Sequence, residues 1–190
     1  MSSATFKVKV PDDAVKLLDE RGLWVPSKNG RQIWSIAPSL GPKARSKDNR
    51  SGSGQHPDWL EQLLKKILIR GSKAAGEVLI PLGCVLSRLD DQHASCPVHS
   101  HKFGQLTLVL GANRPMLIGD STLMLQEGGA VKIDAGVPHG IPEQYSTCLP
   151  RISINLYVST QEEVSSPPLS ACLLPRGELE PCTELCAFGW

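Results

Sequence analysis

The sequence predicts a mainly β domain, a barrel or jelly roll, fronted by a short α/β extension. Two observations carry this. After residue 75 the chain offers GEVLIPL, GCVLSRL, QLTLVLG, STLMLQ, AVKI and RISINLYV. Each is short, rich in Val, Ile, Leu or Thr, and bounded by Gly, Pro or Asp, as strands are. Short strands at even spacing indicate a barrel or jelly roll. The second observation is that one stretch stands out as an amphipathic helix, HPDWLEQLLKKILIRG at 56–71.

From the N-terminus, TFKVKVP alternates apolar and basic residues and predicts a half-exposed strand. A helix over AVKLLDER should follow, with Asp12 or Asp13 as N-cap and Gly22 as its stop. RQIWSI at 31–36 suggests an edge strand. Pro38–Gln55, PSLGPKARSKDNRSGSGQ, has turn formers and no periodicity, so it reads as a loop. Lys43, Arg45, Lys47 and Arg50 make that loop basic. It is either a solvated surface or a set of phosphate contacts ordered by a nucleic-acid partner. In the main helix Asp58 should act as cap, with Glu61 completing a capping box. Leu60, Leu63, Leu64, Ile67 and Leu68 form its apolar stripe and Gly71 should end it. Past Val158 Pro, Ser and Glu dominate, which predicts a surface-wrapping tail without a usable motif. The expected organisation is an extension over 1–75, a β core over 76–160 and a tail over 161–190.

A chain of 190 residues can bury a core without staples. Its net charge of +1 gives no global attraction to nucleic acid or membrane, so such binding would need a local patch. No apolar run approaches the roughly 20 residues of a membrane span. The start MSSATFKVKVPDD lacks the apolar core of a secretory signal, and a cytoplasmic or nuclear location is expected. Cys84, Cys96, Cys148, Cys172, Cys182 and Cys186 form no CxxC pair and read as buried or free thiols. Cys182 and Cys186 have the spacing to pair or to join a metal site, but no histidine lies near them.

Chemistry concentrates between Pro97 and Val158. Three of the five histidines, His99, His101 and His139, lie there, with Arg151 following. Two histidines at i, i+2 on a strand share a face, and a third beyond a Gly-rich turn can close a metal site from a facing strand. Gly128, Gly129 and Gly136 supply the turns around AVKI. Neutral imidazole suits Fe, Zn, Ni, Cu and Mn, and three ligands leave positions open for chemistry. The alternative is three hydrogen-bonded interior histidines without a metal. His56 and His93 read as surface residues. In RISINLYV the alternation puts Arg151, Ser153, Asn155 and Tyr157 on one face. Arg151 is either a buried carboxylate anchor or half of a surface ion pair. Four polar groups facing the interior beside three histidines would make a pocket.

These residues resemble two families. HSHKFGQLTLVLG and EGGAVKIDAGVPHG look like the two cupin motifs, with Gln105 where a metal-binding cupin usually carries Glu. PDWLEQLLKKI, VLSRL, HSH, LVLGANR, HGIP and RISINLY also resemble, in order, the AlkB-like Fe(II)/2-oxoglutarate oxygenases. On that resemblance His99 and His139 match the metal histidines, and His101 stands at the metal aspartate's place. Arg151 matches the residue that holds the 2-oxoglutarate side carboxylate, with Ser153, Asn155 and Tyr157 beside it. Ser87 and Leu89 replace an Asn and a Tyr that contact the cosubstrate, and Tyr157 replaces a final Arg. Gln105, Ser87 and Arg114 are further pocket candidates.

Both families share the double-stranded β-helix, the jelly roll that the resemblance implies here. It further implies Fe(II) and 2-oxoglutarate, with Zn, Mn or Ni as other divalent metals. The activity implied is hydroxylation or demethylation of a nucleic acid or protein, with no membrane role. Two other readings stand beside it. One is a metal-dependent cupin acting on a small molecule without cosubstrate. The other is a non-catalytic binding module on the same barrel.

Overall fold

The computed structural model describes residues 4–22, 24–26, 31–36, 57–89, 95–142 and 150–160. The basic residues Lys43, Arg45, Lys47 and Arg50, His56, His93, the last four cysteines and the 161–190 tail lie outside the described residues. The architecture is a jelly-roll β fold of two antiparallel sheets with helices on one face. In chain order the elements are β1 (Thr5–Lys7), α1 (Ala14–Arg21), β2 (Val25–Pro26), β3 (Arg31–Ile36) and α2 (Asp58–Ala75). Then follow β4 (Leu79–Leu89), β5 (Cys96–His99), β6 (Gly104–Gly111) and β7 (Pro115–Ile118). The chain continues through β8 (Ser121–Met124), β9 (Gly129–Ile133), β10 (His139–Ile141) and β11 (Arg151–Thr160).

The major sheet has the order β1-β9-β6-β11-β4-β3-β2 and the minor sheet β5-β10-β7-β8. β11 is central because both its edges are paired over nearly their full length, with β4 on one side and β6 on the other. Its Ile, Leu and Val positions explain why: β-branched and apolar side chains fit a buried pleated surface. Ile152, Ile154, Leu156 and Val158 point to the helices, joining Leu106, Leu108, Leu110, Leu86 and Trp34 in one core with α2. The alternate positions point to the minor sheet. There Val109, Val131 and Ile133 of the major sheet meet Met116 and Ile118 of β7.

Helix α2 buries Leu60, Leu63, Leu64 and Ile67, each contributing about 1.5–3 kcal/mol by leaving water. Both of its expected ends shift. The N-cap is Pro57 and no side chain caps the helix, so Asp58 and Glu61 act as first-turn acids on the helix dipole instead of a capping box. At the other end the helix runs through Gly71 to Ala75, and Gly76 closes it in the left-handed conformation at φ 72°. Gly71 is there for packing: a Cβ at this position would meet Leu106 Cδ1 at 2.5 Å. Helix α1 ends at Gly22 as expected, and its N-cap Asp13 makes no side-chain capping bond.

Two further differences concern strands. GEVLIPL and GCVLSRL form one strand, β4. Pro81 is tolerated because β3 pairs only with Cys84–Leu89, so the chain at Pro81 has β11 on one side and no ladder partner in β3. RQIWSI is not the sheet edge: two-residue β2 lies outside it. Among the described residues, no helix is long and apolar enough to cross a membrane.

Candidate metal centre

His99 ends β5 and His139 opens β10, and the two are direct cross-strand partners. They are neighbours in one sheet, not residues on facing strands as the spacing suggested. Directly opposed side chains share a face with Cβ atoms roughly 5 Å apart. The neighbouring Gly140 allows this pairing, because a Cβ there would lie 2.7 Å from the Cys96 carbonyl oxygen. The register shifts between His139 and Ile141, a bulge of the kind that re-aims side chains beside sites. His101 lies past the end of β5, so the HxH pair does not sit on one strand. Its position is set by the turn before β10, where Gly136 N–H donates to the His101 carbonyl at 2.8 Å.

The three rings converge. Their centroids lie 4.8 Å apart for His99 and His101, 4.5 Å for His99 and His139, and 5.1 Å for His101 and His139. One ligand atom from each falls within 4.8 Å of the other two. Two of the tautomers are set by the backbone. His99 Nδ1 donates to the Pro97 carbonyl at 2.7 Å, and His139 Nδ1 to the Val137 carbonyl at 2.9 Å. That makes each Nε2 the lone-pair nitrogen, the arrangement in which a second partner orients a ligating imidazole. His139 Nε2 is buried without a hydrogen-bond partner among the described residues. An orphaned buried acceptor costs stability unless something binds it. All three rings are held neutral. Burial is the main cause at each, with mutual repulsion adding at His99 and His101 and the Arg31 charge also acting on His99; His101 falls to about 4. Neutral, converging, partly orphaned imidazoles fit a divalent ion.

Facing the three rings across the sheets is the minor-sheet-facing side of β11, with Tyr157 against His101. Arg151 is fully buried, which rules out the surface ion-pair reading. Its Nη1 donates to the Arg114 carbonyl at 2.8 Å and its Nε to Ser153 Oγ at 3.3 Å. Its Nη2 is buried with no hydrogen-bond partner among the described residues. Among the described residues no carboxylate pairs with it. Burial first, then the nearby Arg114, push its pKa down to about 10, which leaves it charged at neutral pH. Arg114 therefore contributes a carbonyl to the site. Ser87 is the cross-strand partner of Ser153, on the same face.

Asn155 Oδ1 accepts from Gln105 Nε2 at 3.2 Å and Thr107 Oγ1 at 3.1 Å, while Gln105 Nε2 also donates to Thr107 Oγ1 at 2.7 Å. Tyr157 stands edge-on to His101 with centroids 5.0 Å apart. Burial, reinforced by Cys84 and Cys96 and opposed by Arg31, pushes its phenol up to about 12, so it remains a proton donor.

The structure brings His99, His101 and His139 together with Tyr157 against them, and puts Arg151, Ser153, Asn155, Gln105 and Ser87 on the same face of the major sheet as Tyr157. Three contributors escape the sequence reading. Thr107 was legible in the alternation QLTLVL. Arg31 opens a strand in which Arg31, Ile33 and Ser35 share a face, but only the topology places that face at the cavity. Cys96 accepts from Arg31 Nη1 at 3.0 Å and lies 3.7 Å from His99 Nδ1.

No protein-family model matches this chain, and no curated protein matches it. Solved structures do. An oxidoreductase of the 2OG-Fe(II) oxygenase family from Burkholderia pseudomallei aligns with a TM-score of 0.59 at 12% identity, covering 82% of this chain and 85% of that one. KdgF from Halomonas aligns at 0.44 and 14% identity, covering 77% and 94%. An RmlC-like cupin from Shewanella frigidimarina aligns at 0.35 and 20%, covering 45% and 78%. The first likeness establishes the shared jelly-roll fold and no more.

Proposed function

We propose that this chain is a divergent metal-dependent oxygenase that uses 2-oxoglutarate. The observation that carries it is Arg151: a fully buried arginine whose Nη2 has no partner among the described residues, on the same sheet face as Tyr157, which packs against the three converging imidazoles. Burying an uncompensated charge is costly, and a ligand carboxylate would relieve it through a bidentate bond. His99, His101 and His139 would hold Fe(II), which when bound supplies activation of dioxygen at the expense of the keto acid. The chain's own residues bind and orient. Arg151 and Ser153 grip the far carboxylate, Tyr157 donates a hydrogen bond beside His101, and the Gln105–Thr107–Asn155 network stiffens the floor. Three neutral ligands leave the +2 charge of the ion intact, which favours an anionic cosubstrate. In the AlkB-like form of this reading the substrate is a methylated nucleobase or a protein side chain, a base being flipped into the barrel mouth. Lys43, Arg45, Lys47 and Arg50 would then contact phosphates.

A second reading is favoured by a ligand set that, among the described residues, contains no carboxylate: a cupin-type enzyme acting on a small molecule without cosubstrate. An anaerobic Fe(II) titration with and without 2-oxoglutarate separates them. The first reading expects a visible charge-transfer band that needs both components and vanishes in His99→Ala and Arg151→Ala. Metal binding without the band supports the second. No metal binding overturns both.

A further inference from the structure

Helix α2 carries a second stripe opposite its buried one. Lys66, Ile69, Arg70 and Lys73 recur at helical spacing and are all exposed. From Gln62 to Gly76 the sequence holds four cations and no acid. Lys65 pairs with Glu61 of the same helix, and Arg70 Nη1 donates to the Lys7 carbonyl. Lys66 and Lys73 have no ion-pair partner among the described residues. Ile69, 67% exposed, and Val78, 65% exposed, are the two most exposed large apolar side chains among those residues. This face lies across the major sheet from the imidazoles: α2 packs on the Leu106 and Leu156 side, whereas Tyr157 meets His101 on the other. The last strand ends beside it. Thr160 of β11 is the cross-strand partner of Leu79, and Leu79 N–H donates to Ser72 Oγ of α2 at 3.2 Å. Lys73 is the next residue along the helix, and Val78 adjoins Leu79. Residues 161–190 follow, with five glutamates against one arginine. Glu162 and Glu163 come first, at most about 11 Å of extended chain beyond Thr160.

We propose that the acidic segment 161–190 docks on the outer face of α2, its glutamates on Lys66, Arg70 and Lys73 and its leucines on Ile69 and Val78. The proposal is independent of the metal and cosubstrate reading. Attachment favours this occupant over a separate one. A tethered segment meets the face at an effective concentration on the order of millimolar, so ion pairs that are individually weak suffice. A nucleic acid would match the cations but brings no aliphatic groups to Ile69 and Val78. The segment brings both, with Leu173, Leu174, Leu179 and Leu185 among its glutamates.

The test is carbodiimide cross-linking of the full chain, which joins a carboxylate to an amine in direct contact, on an equal mixture of isotope-labelled and unlabelled protein. Lys66 or Lys73 should be joined to a glutamate of 161–190 within one isotopic chain. Ile69→Ser combined with Val78→Ser should cut that yield about threefold or more. Both side chains are exposed, so circular dichroism and melting temperature should not change. Salt at about 1 M, where the screening length is roughly 3 Å, should also cut the yield. A yield that ignores either change belongs to a segment that is tethered and not docked, and it overturns the proposal, as does the absence of any such cross-link. Cross-links between differently labelled chains would assign the face to a second copy and overturn it too. The methyl resonances of Ile69 and Val78 give a second readout. They should shift when Glu162, Glu163, Glu178, Glu180 and Glu184 are all replaced by Gln. No shift overturns the proposal, and a shift with added phosphatidylserine vesicles in its place assigns the face to a membrane.

Discussion

Arg88 and Arg151 lie on adjacent strands of the same sheet and face opposite ways. Arg88 points toward the helices, where its Nε donates to Asp19 Oδ1 of α1 at 2.7 Å and its Nη1 to Gln32 at 3.1 Å. Arg151 points into the barrel, is wholly buried, and has a carbonyl and a hydroxyl for partners. The helix-facing side carries its charged groups at its rim, where Arg88 pairs with Asp19, although Trp59 Nε1 is buried without a hydrogen-bond partner among the described residues. The barrel-facing side carries them at its centre, and among the described residues Arg151 Nη2 and His139 Nε2 find no hydrogen-bond partner. One face of β11 carries the apolar core, the other the buried polar groups of the candidate site.

The contrast is open to breaking by mutation. Ile154→Asp, on the helix side, buries a carboxylate among leucines and should leave the chain unfolded by circular dichroism. The milder Ile154→Ala should lower the urea-derived stability by about 2–5 kcal/mol. On the other side, His139→Ala should keep the melting temperature of the metal-free protein or raise it slightly, because an orphaned acceptor is removed. It should weaken divalent metal binding at least about 100-fold by isothermal calorimetry, since even outer partners of metal ligands count for 10–100-fold. Equal destabilisation on both faces would refute the division.

Proton linkage sharpens it. The folded His101 has its pKa depressed from an ordinary 6.5 to about 4, so the unfolded state binds the proton more readily between those values. Its contribution to stability is present above pH 6.5 and is lost as pH falls toward 4. Metal-free protein should therefore lose stability across that window in denaturant titrations, and His101→Gln should flatten the slope. Saturating metal at about 100 times its Kd should add roughly 2.7 kcal/mol at neutral pH, and a chelator should remove that increment. The smallest effect belongs to Arg88→Ala. A partly exposed pair with Asp19 is worth about 1 kcal/mol or less in thermal melts.

How much of this was legible depended on locality. The alternation RISINLYV is a one-strand property, and it assigned Arg151, Ser153, Asn155 and Tyr157 to one face. The three histidines were legible as ligand types, but their geometry was not, because His101 lies in a turn and His139 pairs with His99 through a bulged register. Gly71 was misread for a physical reason. Glycine ends helices through its backbone freedom and also admits close packing, and only the distance to Leu106 separates the two uses. Arg31 was invisible because its role depends on β3 joining β4 across a long intervening stretch, which no local pattern encodes. Nothing in CPVHSH signals that Cys96 meets that arginine.

The pairing of His99 with His139 also bears on how the protein reaches its native state. The two residues are far apart in sequence, and their register forms only when β10 zips against β5, a non-local step of the kind that slows β proteins. Closing that loop carries its entropy cost before any ring meets another. The three imidazoles therefore form one cluster only once β10 is paired with β5.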